Sequence, residues 1–323
     1  MAMKRRTALT GVLGLGMALA SSITFSQEYS QPLRIIVPGA AGQGLDLLAR
    51  IFAGKLAVLL KRPVVVENRV GAGGIVAAQV AARSAPDGNT LFFGFAATHG
   101  ILSSLHKTLP YDPVRDFEPI VPLTYSSNVL VTSKQSGLKT MAQLVAAGRK
   151  KPENLTMGSP GEGTTPHLSG AILDKMAGMK SLHVPIKTNP GLEVIAGRVD
   201  YAFLSTPVAV EFVKTDRVNA LAVTSPVREA KLPDVPTMIE AGFPGYTVTA
   251  WCGLFAPAKT SAAFIRQVNE AANTALKDAS LIASLMAISS TPIGGTPDDL
   301  RKRVQDELAK WPEVVKDAGV QVN

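Results

Sequence analysis

Gly39, Gly42 and Gly44 break the chain just before a helical pattern begins, and Asp46 sits in the first turn of that pattern. The chemistry this spacing suits is the capture of an anion. Glycines leave backbone N–H groups uncovered, and the first N–H groups of a helix have no partner within it, so several donors converge at one point. Ala41 and Gln43 complete the loop. A second stretch of the same kind, Ser159-Pro160-Gly161-Glu162-Gly163-Thr164-Thr165-Pro166-His167, puts glycines and hydroxyls ahead of a proline that marks a helix start. Ala96-Ala97-Thr98 and Ser205-Thr206 end two further apolar runs with small or hydroxyl residues. If these four segments converge, main-chain donors and hydroxyls grip one small anion.

The elements that must position them alternate. Residues 33–37 read as a buried strand, and Leu45, Leu48, Ala49, Phe52, Leu56, Leu59 and Leu60 recur at helical spacing. A strand at 64–68, an alanine-rich helix ending at Ser84 and a strand at 90–95 continue a β-α-β-α-β pattern, which predicts a parallel sheet with helices on both faces. Gly71-Ala72-Gly73 after the second strand invites a dinucleotide reading. Val76 stands where that fingerprint wants Gly or Ala, and no acidic partner follows, so tight helix–strand packing explains these glycines better. Strands are expected at 118–123 and 128–133, with the polar stretch between them a passage into a second domain. There a helix at 141–149, strands at 155–159, 182–185, 201–205 and 220–224, and helices from Pro166 and at 191–195 restart the alternation. The strand at 247–255 reads as the return, and helices at 262–277, 281–287 and 297–311 close the fold. Two lobes joined by two crossings leave a cleft at the carboxyl ends of the strands, where open α/β sheets bind ligands, with hinge motion as the consequence.

Composition limits the classes. Lys4, Arg5 and Arg6 precede an apolar stretch, 8–20, that ends in Ala18-Leu19-Ala20, a secretory signal too short for a membrane span. Without those three charges the formal net charge falls from +8 to +5, a mild excess that suits anionic small molecules or a merely solvated surface. Cys252 is alone, so no internal disulfide forms and the core must carry stability. Long basic runs, zinc spacing, a Gly-x-Ser-x-Gly elbow and a His-Glu-x-x-His motif are all missing from the sequence. Nucleic-acid binding, a metal centre, a cofactor and an enzyme are therefore not expected. His106 and His183 show no partner at ligand spacing, and Trp251 reads as core.

Taken together, several strings resemble the periplasmic solute receptors of tripartite tricarboxylate transporters, the Bordetella uptake gene (Bug) family. They are Val37-Pro38 with Gly42, Asp46 and Ala49-Arg50; Pro63-Val64-Val65-Val66-Glu67-Asn68-Arg69 with Gly71-Ala72-Gly73-Gly74; Ala85-Pro86-Asp87-Gly88; Tyr111-Asp112-Pro113-Val114-Arg115-Asp116-Phe117; Leu232-Pro233-Asp234-Val235-Pro236-Thr237; and Gly253-Leu254-Phe255-Ala256-Pro257. The resemblance covers almost the whole mature chain. It implies a type II periplasmic-binding-protein fold, α/β, with two parallel-sheet lobes. Residues 1–26 would be the signal peptide, 27–126 with 248–323 the first lobe, and 127–247 the second. It further implies a periplasmic, monomeric protein that binds a small organic carboxylate and hands it to membrane permease subunits. A ligand sensor for a signalling partner is the alternative, and a periplasmic hydrolase a third class. The ligand-binding set expected on this basis is Gly39, Ala41, Gly42, Gln43, Asp46, Ala97, Thr98, Ser159, Gly163, Thr164, Thr165, His167, Ser205 and Thr206.

For several of these a plain structural role competes. Asp46 can cap its own helix, Thr164 or Thr165 can be an N-cap, and His167 can brace its loop. The chain departs from the family pattern at Gly39, where an aromatic is usual, at Gln43, where a glycine is, at Leu45, where a threonine is, and at Leu204, where an acid often stands. These changes widen the pocket and remove a partner for an ammonium group, which points to a carboxylate without a free amine.

Overall fold

The computed structural model describes residues 31–317 apart from Ala40, Gln43, Lys151, Glu162, Lys187 and Thr188. The signal-peptide reading and the assignment of Gln43 therefore fall outside the described residues. β1 (Leu33–Val37) leads through the glycine turn into α1 (Gly44–Leu59), whose Leu48, Ala49, Phe52, Ala53 and Leu56 form its buried stripe. β2 (Val64–Asn68), a 3-10 turn (Ala72–Gly74), α2 (Ile75–Ala82) and β3 (Thr90–Phe95) follow, and a π-helical turn (Ala97–Ile101) runs into α3 (Leu102–Leu105). The long β4 (Phe117–Ser133) opens the second half. It is followed by α4 (Met141–Lys150), β5 (Thr156–Ser159), α5 (Thr165–Ala177), β6 (Leu182–Pro185), α6 (Pro190–Ile195), β7 (Tyr201–Ser205), α7 (Thr206–Lys214) and β8 (Val218–Val223). β9 (Thr249–Pro257), α8 (Ala262–Ala275), α9 (Ala279–Ala287), β10 (Thr291–Pro292) and α10 (Pro297–Asp317) complete it.

β4 belongs to both strand groups. Its first part, from Phe117 to Ser127, pairs with β9 and β10, whereas Asn128 to Ser133 pairs with β7 on one side and β8 on the other. The pairings also fix directions. β3 is antiparallel to β9 and β9 to β4, so β1, β2 and β3 run the same way as β4, towards the second group. β7 is antiparallel to β4, and β5 and β6 follow β7, so these strands run back towards the first group. The carboxyl ends of the two parallel sets thus point at each other.

Two segments cross between the lobes: β4 itself and residues 224–248. Thr224 ties them, because its Oγ1 accepts from the Asn128 N–H at 2.9 Å and donates to the Val248 carbonyl at 2.6 Å. Residues from Gln31 onward form one compact unit; one apolar cluster runs through both strand groups, from Phe92 and Phe255 to Leu130, Tyr201 and Trp311, and a second gathers around Val129, Val131, Ala202 and Leu204. α10 packs on the π-helical turn, α3, β4 and α5, and Lys175 of α5 is ion-paired to its Glu313 and Asp317 at 2.6 Å each.

The structure differs from the sequence reading in several places, one of them α7 at 206–214, where the sequence reading has no element. The lobes are not purely parallel, since β4 and β9 run antiparallel to their neighbours. The two strands expected at 118–123 and 128–133 are one. Pro119 and Pro122 sit where the register with β9 shifts, at bulges that need no ladder N–H, and the polar stretch read as a passage between domains pairs with β9 as well. The helical turn after β3, at Ala97–Ile101, went unread because Ala96-Ala97-Thr98-His99 looks like the end of a strand.

Candidate functional site

The first loop is held by one carboxylate. Asp46, buried at the start of α1, accepts from the Gly42 N–H at 2.8 Å, from Arg50 Nε at 2.9 Å and from Asn68 Nδ2 at 3.0 Å, while Asn68 Nδ2 also reaches the Gly39 carbonyl. The Arg50 hydrogen bond holds the carboxyl down at about 2, against the pull of desolvation. Asp46 is thus an ion that shapes the Gly39–Gly42 turn, with Ala41 and Gly42 exposed at its tip. Arg50 lies one helical turn from Asp46, a spacing legible in the sequence. Asn68 ends the neighbouring strand and carried no local signal.

At the tip of β3, Thr98 is fully buried. Its Oγ1 lies 3.2 Å from the Phe95 N–H, which donates to it, and 3.1 Å from both the Phe95 carbonyl and His99 Nδ1. Its carbonyl accepts from the Tyr111 hydroxyl at 2.8 Å. His99 turns away from the strand tips and stacks on Phe255 at 3.9 Å beside Phe92 and Phe117, where burial pushes its imidazole down to about 3. Gly74 closes the other side of Thr98. With φ +106° it brings its backbone so near Pro38, Phe95 and Thr98 that a Cβ would lie 2.8 Å from the Thr98 methyl. The glycines after β2 therefore pack the first and third strand tips together.

In the second lobe Ser159 ends β5. Its Oγ lies 2.7 Å from His183 Nε2, accepts from the Gly161 N–H at 3.1 Å and sits 3.2 Å from the Gly161 carbonyl. Gly163 donates its N–H to His167 Nδ1 at 3.1 Å, and the His167 ring stacks on that of His183 with centroids 3.8 Å apart. Thr164 is the N-cap of α5: its Oγ1 accepts from the His167 N–H and donates to the Gly161 carbonyl at 2.7 Å. Thr165 is the first, half-buried residue of that helix. Burial, with the neighbouring His183 ring, holds the His167 imidazole down at about 4. At the end of β7, Ser205 is exposed, while Thr206 is buried and donates to the Ser127 carbonyl at 2.8 Å. Ser127 Oγ in turn donates to the Glu229 carboxylate at 2.6 Å. The sequence reading missed His183, Ser127 and Glu229. His183 was passed over for want of a partner, and its partners Ser159 and His167 are supplied only by the β5–β6 pairing and the fold of α5.

The four segments lie at facing strand tips. Phe95 pairs with Cys252, which pairs on its other side with Thr124, whereas Ser205 pairs with Asn128. Along β4 those levels are about 13 Å apart, at ~3.3 Å per residue of extended strand. The two halves meet beside the second loop: Leu105 of α3 lies so close to Gly163 that a Cβ there would meet its methyl at 2.8 Å. α1, α5 and α7 all begin at these tips, so their positive ends share the gap. A cavity of about 450 Å³ lined by Gln31, Arg34, Val65, Asp87 and Thr90 lies elsewhere, at the amino ends of β1 and β3. Parallel sheets do not build their ligand sites at that end, so the strand tips are the better candidate. Cys252 is buried against Thr124 Oγ1, and burial pushes its thiol up to about 11. Among the described residues no group of His, Cys, Asp or Glu is arranged to hold a metal ion, and no helix is long and apolar enough to cross a membrane.

Residues 48–320 match the model of the tripartite tricarboxylate transporter family receptor, TctC. Protein BugT of Bordetella pertussis is 29% identical over 325 residues, covering 100% of both chains. Among solved structures, R. palustris Rpa4515 with adipate is 30% identical with a TM-score of 0.77, over 90% of this chain and 98% of that one. MatC from the same organism, with bound malate, is 32% identical with a TM-score of 0.73, over 88% and 98%.

Proposed function

The chain belongs to the tripartite tricarboxylate transporter receptor family, which includes the Bug proteins, and on that premise we propose that it captures a small organic carboxylate between two lobes and delivers it to a membrane permease. The observation that carries this reading is the strand geometry. Two sets of parallel strands aim their carboxyl ends, their glycine turns and three helix N-termini at one gap of small-molecule width. In the proposed lobes, 27–126 with 248–323 form one jaw and 127–247 the other.

The ligand is a carboxylate without a free amine. Adipate and malate in the related structures are acids of that class. The protein works in the periplasm as a monomer, after removal of its leader. It binds without chemical conversion: Ser159, although paired with His183, is fully buried and committed to Gly161, and Cys252 is a buried, protonated thiol.

The test is a thermal-shift screen of the refolded, ligand-stripped mature chain against succinate, malate, adipate, citrate, benzoate, aspartate and glutamate, followed by calorimetry. A true ligand at a hundred times its Kd adds ~2.7 kcal/mol to the folded state, which raises Tm by about 4 °C in a chain of this size. Stabilisation by an amine-free acid recovered unchanged is expected. Stabilisation by the amino acids alone, or by none of the seven, contradicts the proposal.

A further inference from the structure

The donors that should meet an anion at the second-lobe tip are already in use. The Gly163 N–H points at His167 Nδ1, and the Gly161 N–H at Ser159 Oγ. A backbone N–H can only donate, so the bond from Gly163 requires an unprotonated Nδ1 with its lone pair aimed at the loop. His167 is stacked face to face on His183, whose Nε2 meets the Ser159 hydroxyl, an atom able to accept or donate. The imidazole pair therefore acts as a built-in acceptor, keeping the loop's N–H groups satisfied.

From this we infer that ligand capture is coupled to the uptake of one proton by His167. The inference rests on the carboxylate reading given above. A carboxylate reaching the start of α5 competes for the Gly163 N–H, and a charged acceptor makes the stronger bond. When it takes that hydrogen bond, Nδ1 loses its donor and faces an anion. A proton then moves from solvent to Nδ1, and the imidazolium pairs with the bound carboxylate. The only bonds that change are the N–H bond formed at Nδ1 and the bond to that proton broken in the solvent or buffer acid that supplies it.

The surroundings limit the uptake to one proton. Stacked rings at 3.8 Å resist a second charge, and burial already disfavours the first unless an anion is present. The titratable groups on the packed elements are few. α5 supplies His167, Asp174 two turns on, which is bound to Ser181 and near the Tyr201 hydroxyl, and Lys175, which is ion-paired to Glu313 and Asp317 of α10; β6 supplies His183; β5 supplies none; and His106 follows Leu105 on the facing α3. Glu162 and Lys187 lie outside the described residues.

The experiment is calorimetry of the mature chain with adipate and malate, in buffers of different ionisation enthalpy, between about pH 6 and about pH 8. Wild type should take up a fraction of a proton per ligand that grows towards ~0.5 as the pH falls, with binding tightening about twofold in step. His167→Asn, whose amide oxygen still accepts from Gly163 but does not titrate, should bind with no pH-dependent uptake beyond the acid's own ionisation. His183→Gln, which removes the stacked neighbour, should keep the uptake and move it to higher pH. Binding with buffer-independent heats in wild type overturns the coupling while leaving the carboxylate reading intact, and so does uptake that survives in His167→Asn and vanishes in His183→Gln. If neither acid binds while another of the screened acids does, the same titration with that acid decides. If none binds, both readings fall.

Discussion

At the first loop one side chain ties together a glycine turn, a helix and the neighbouring strand. Asp46→Asn removes the ion that Arg50 and the Gly42 N–H share, and its amide can no longer accept through both oxygens. We expect a loss of ~1–3 kcal/mol in urea unfolding together with a raised carboxylate Kd, because the turn loosens. Unchanged stability would show that Asp46 does not brace the loop. The two buried imidazoles give a pH prediction of definite sign. His167 and His99 are held down at about 4 and about 3 in the folded chain, whereas an unfolded imidazole takes its proton near 6.5. Between those values the unfolded state binds more protons, so stability falls on acidification and is unaffected by these groups above about pH 7. By pH 5 each should cost ~2 kcal/mol relative to pH 7, read as a drop in the urea midpoint, and His167→Asn should recover part of it. The residue scale is also where sequence alone stops short. Asp46 with Arg50 is legible as an i,i+4 pair, and Thr164 as an N-cap before Pro166, since both are local. Asn68, His183, Ser127 and Glu229 join the site only through strand pairing and crossing segments, and no local pattern announces that.

Among the elements, β4 and residues 224–248 carry the connection between lobes, and Thr224 is their joint. Thr224→Val keeps the shape but leaves the Asn128 N–H and the Val248 carbonyl without that partner, at a cost of ~1–3 kcal/mol. Because the pin sits at the crossings, ligand affinity should change with stability, and calorimetry on the folded variant checks this. Gly163→Ala tests the opposite side of the gap. Its φ of +71° disfavours a side chain by ~1 kcal/mol, and the new methyl collides with Leu105. Weaker binding with modest destabilisation is expected, and wild-type affinity would mean that the loop does not approach α3 in solution. The βα units here were readable from apolar runs and glycine turns. β4 was readable only as two separate strands, because the polar run Thr124-Tyr125-Ser126-Ser127 imitates a linker while an opposing β9 keeps it in the sheet.

The described residues have one core that runs through both strand groups, a second around Val129, Val131, Ala202 and Leu204, and two sets of opposed strand tips. α10 lies under Gly100 at one tip, where a Cβ would meet Glu307 at 3.0 Å, and is ion-paired to α5 behind the other. Relative movement of the lobes therefore acts on a helix that touches both. Family and fold were recoverable from the order of weak motifs along the chain, whereas the antiparallel strands that turn the two sets face to face were not, since strand direction has no local signature. The measurement closest to the central claim is a crystal structure of the mature chain grown with the acid that stabilises it best. The account predicts an unmodified carboxylate between the Gly39–Gly42 turn and the Gly163–His167 turn, in contact with both. A ligand bound instead in the cavity beside Arg34 and Thr90, or contacting one lobe alone, would contradict it.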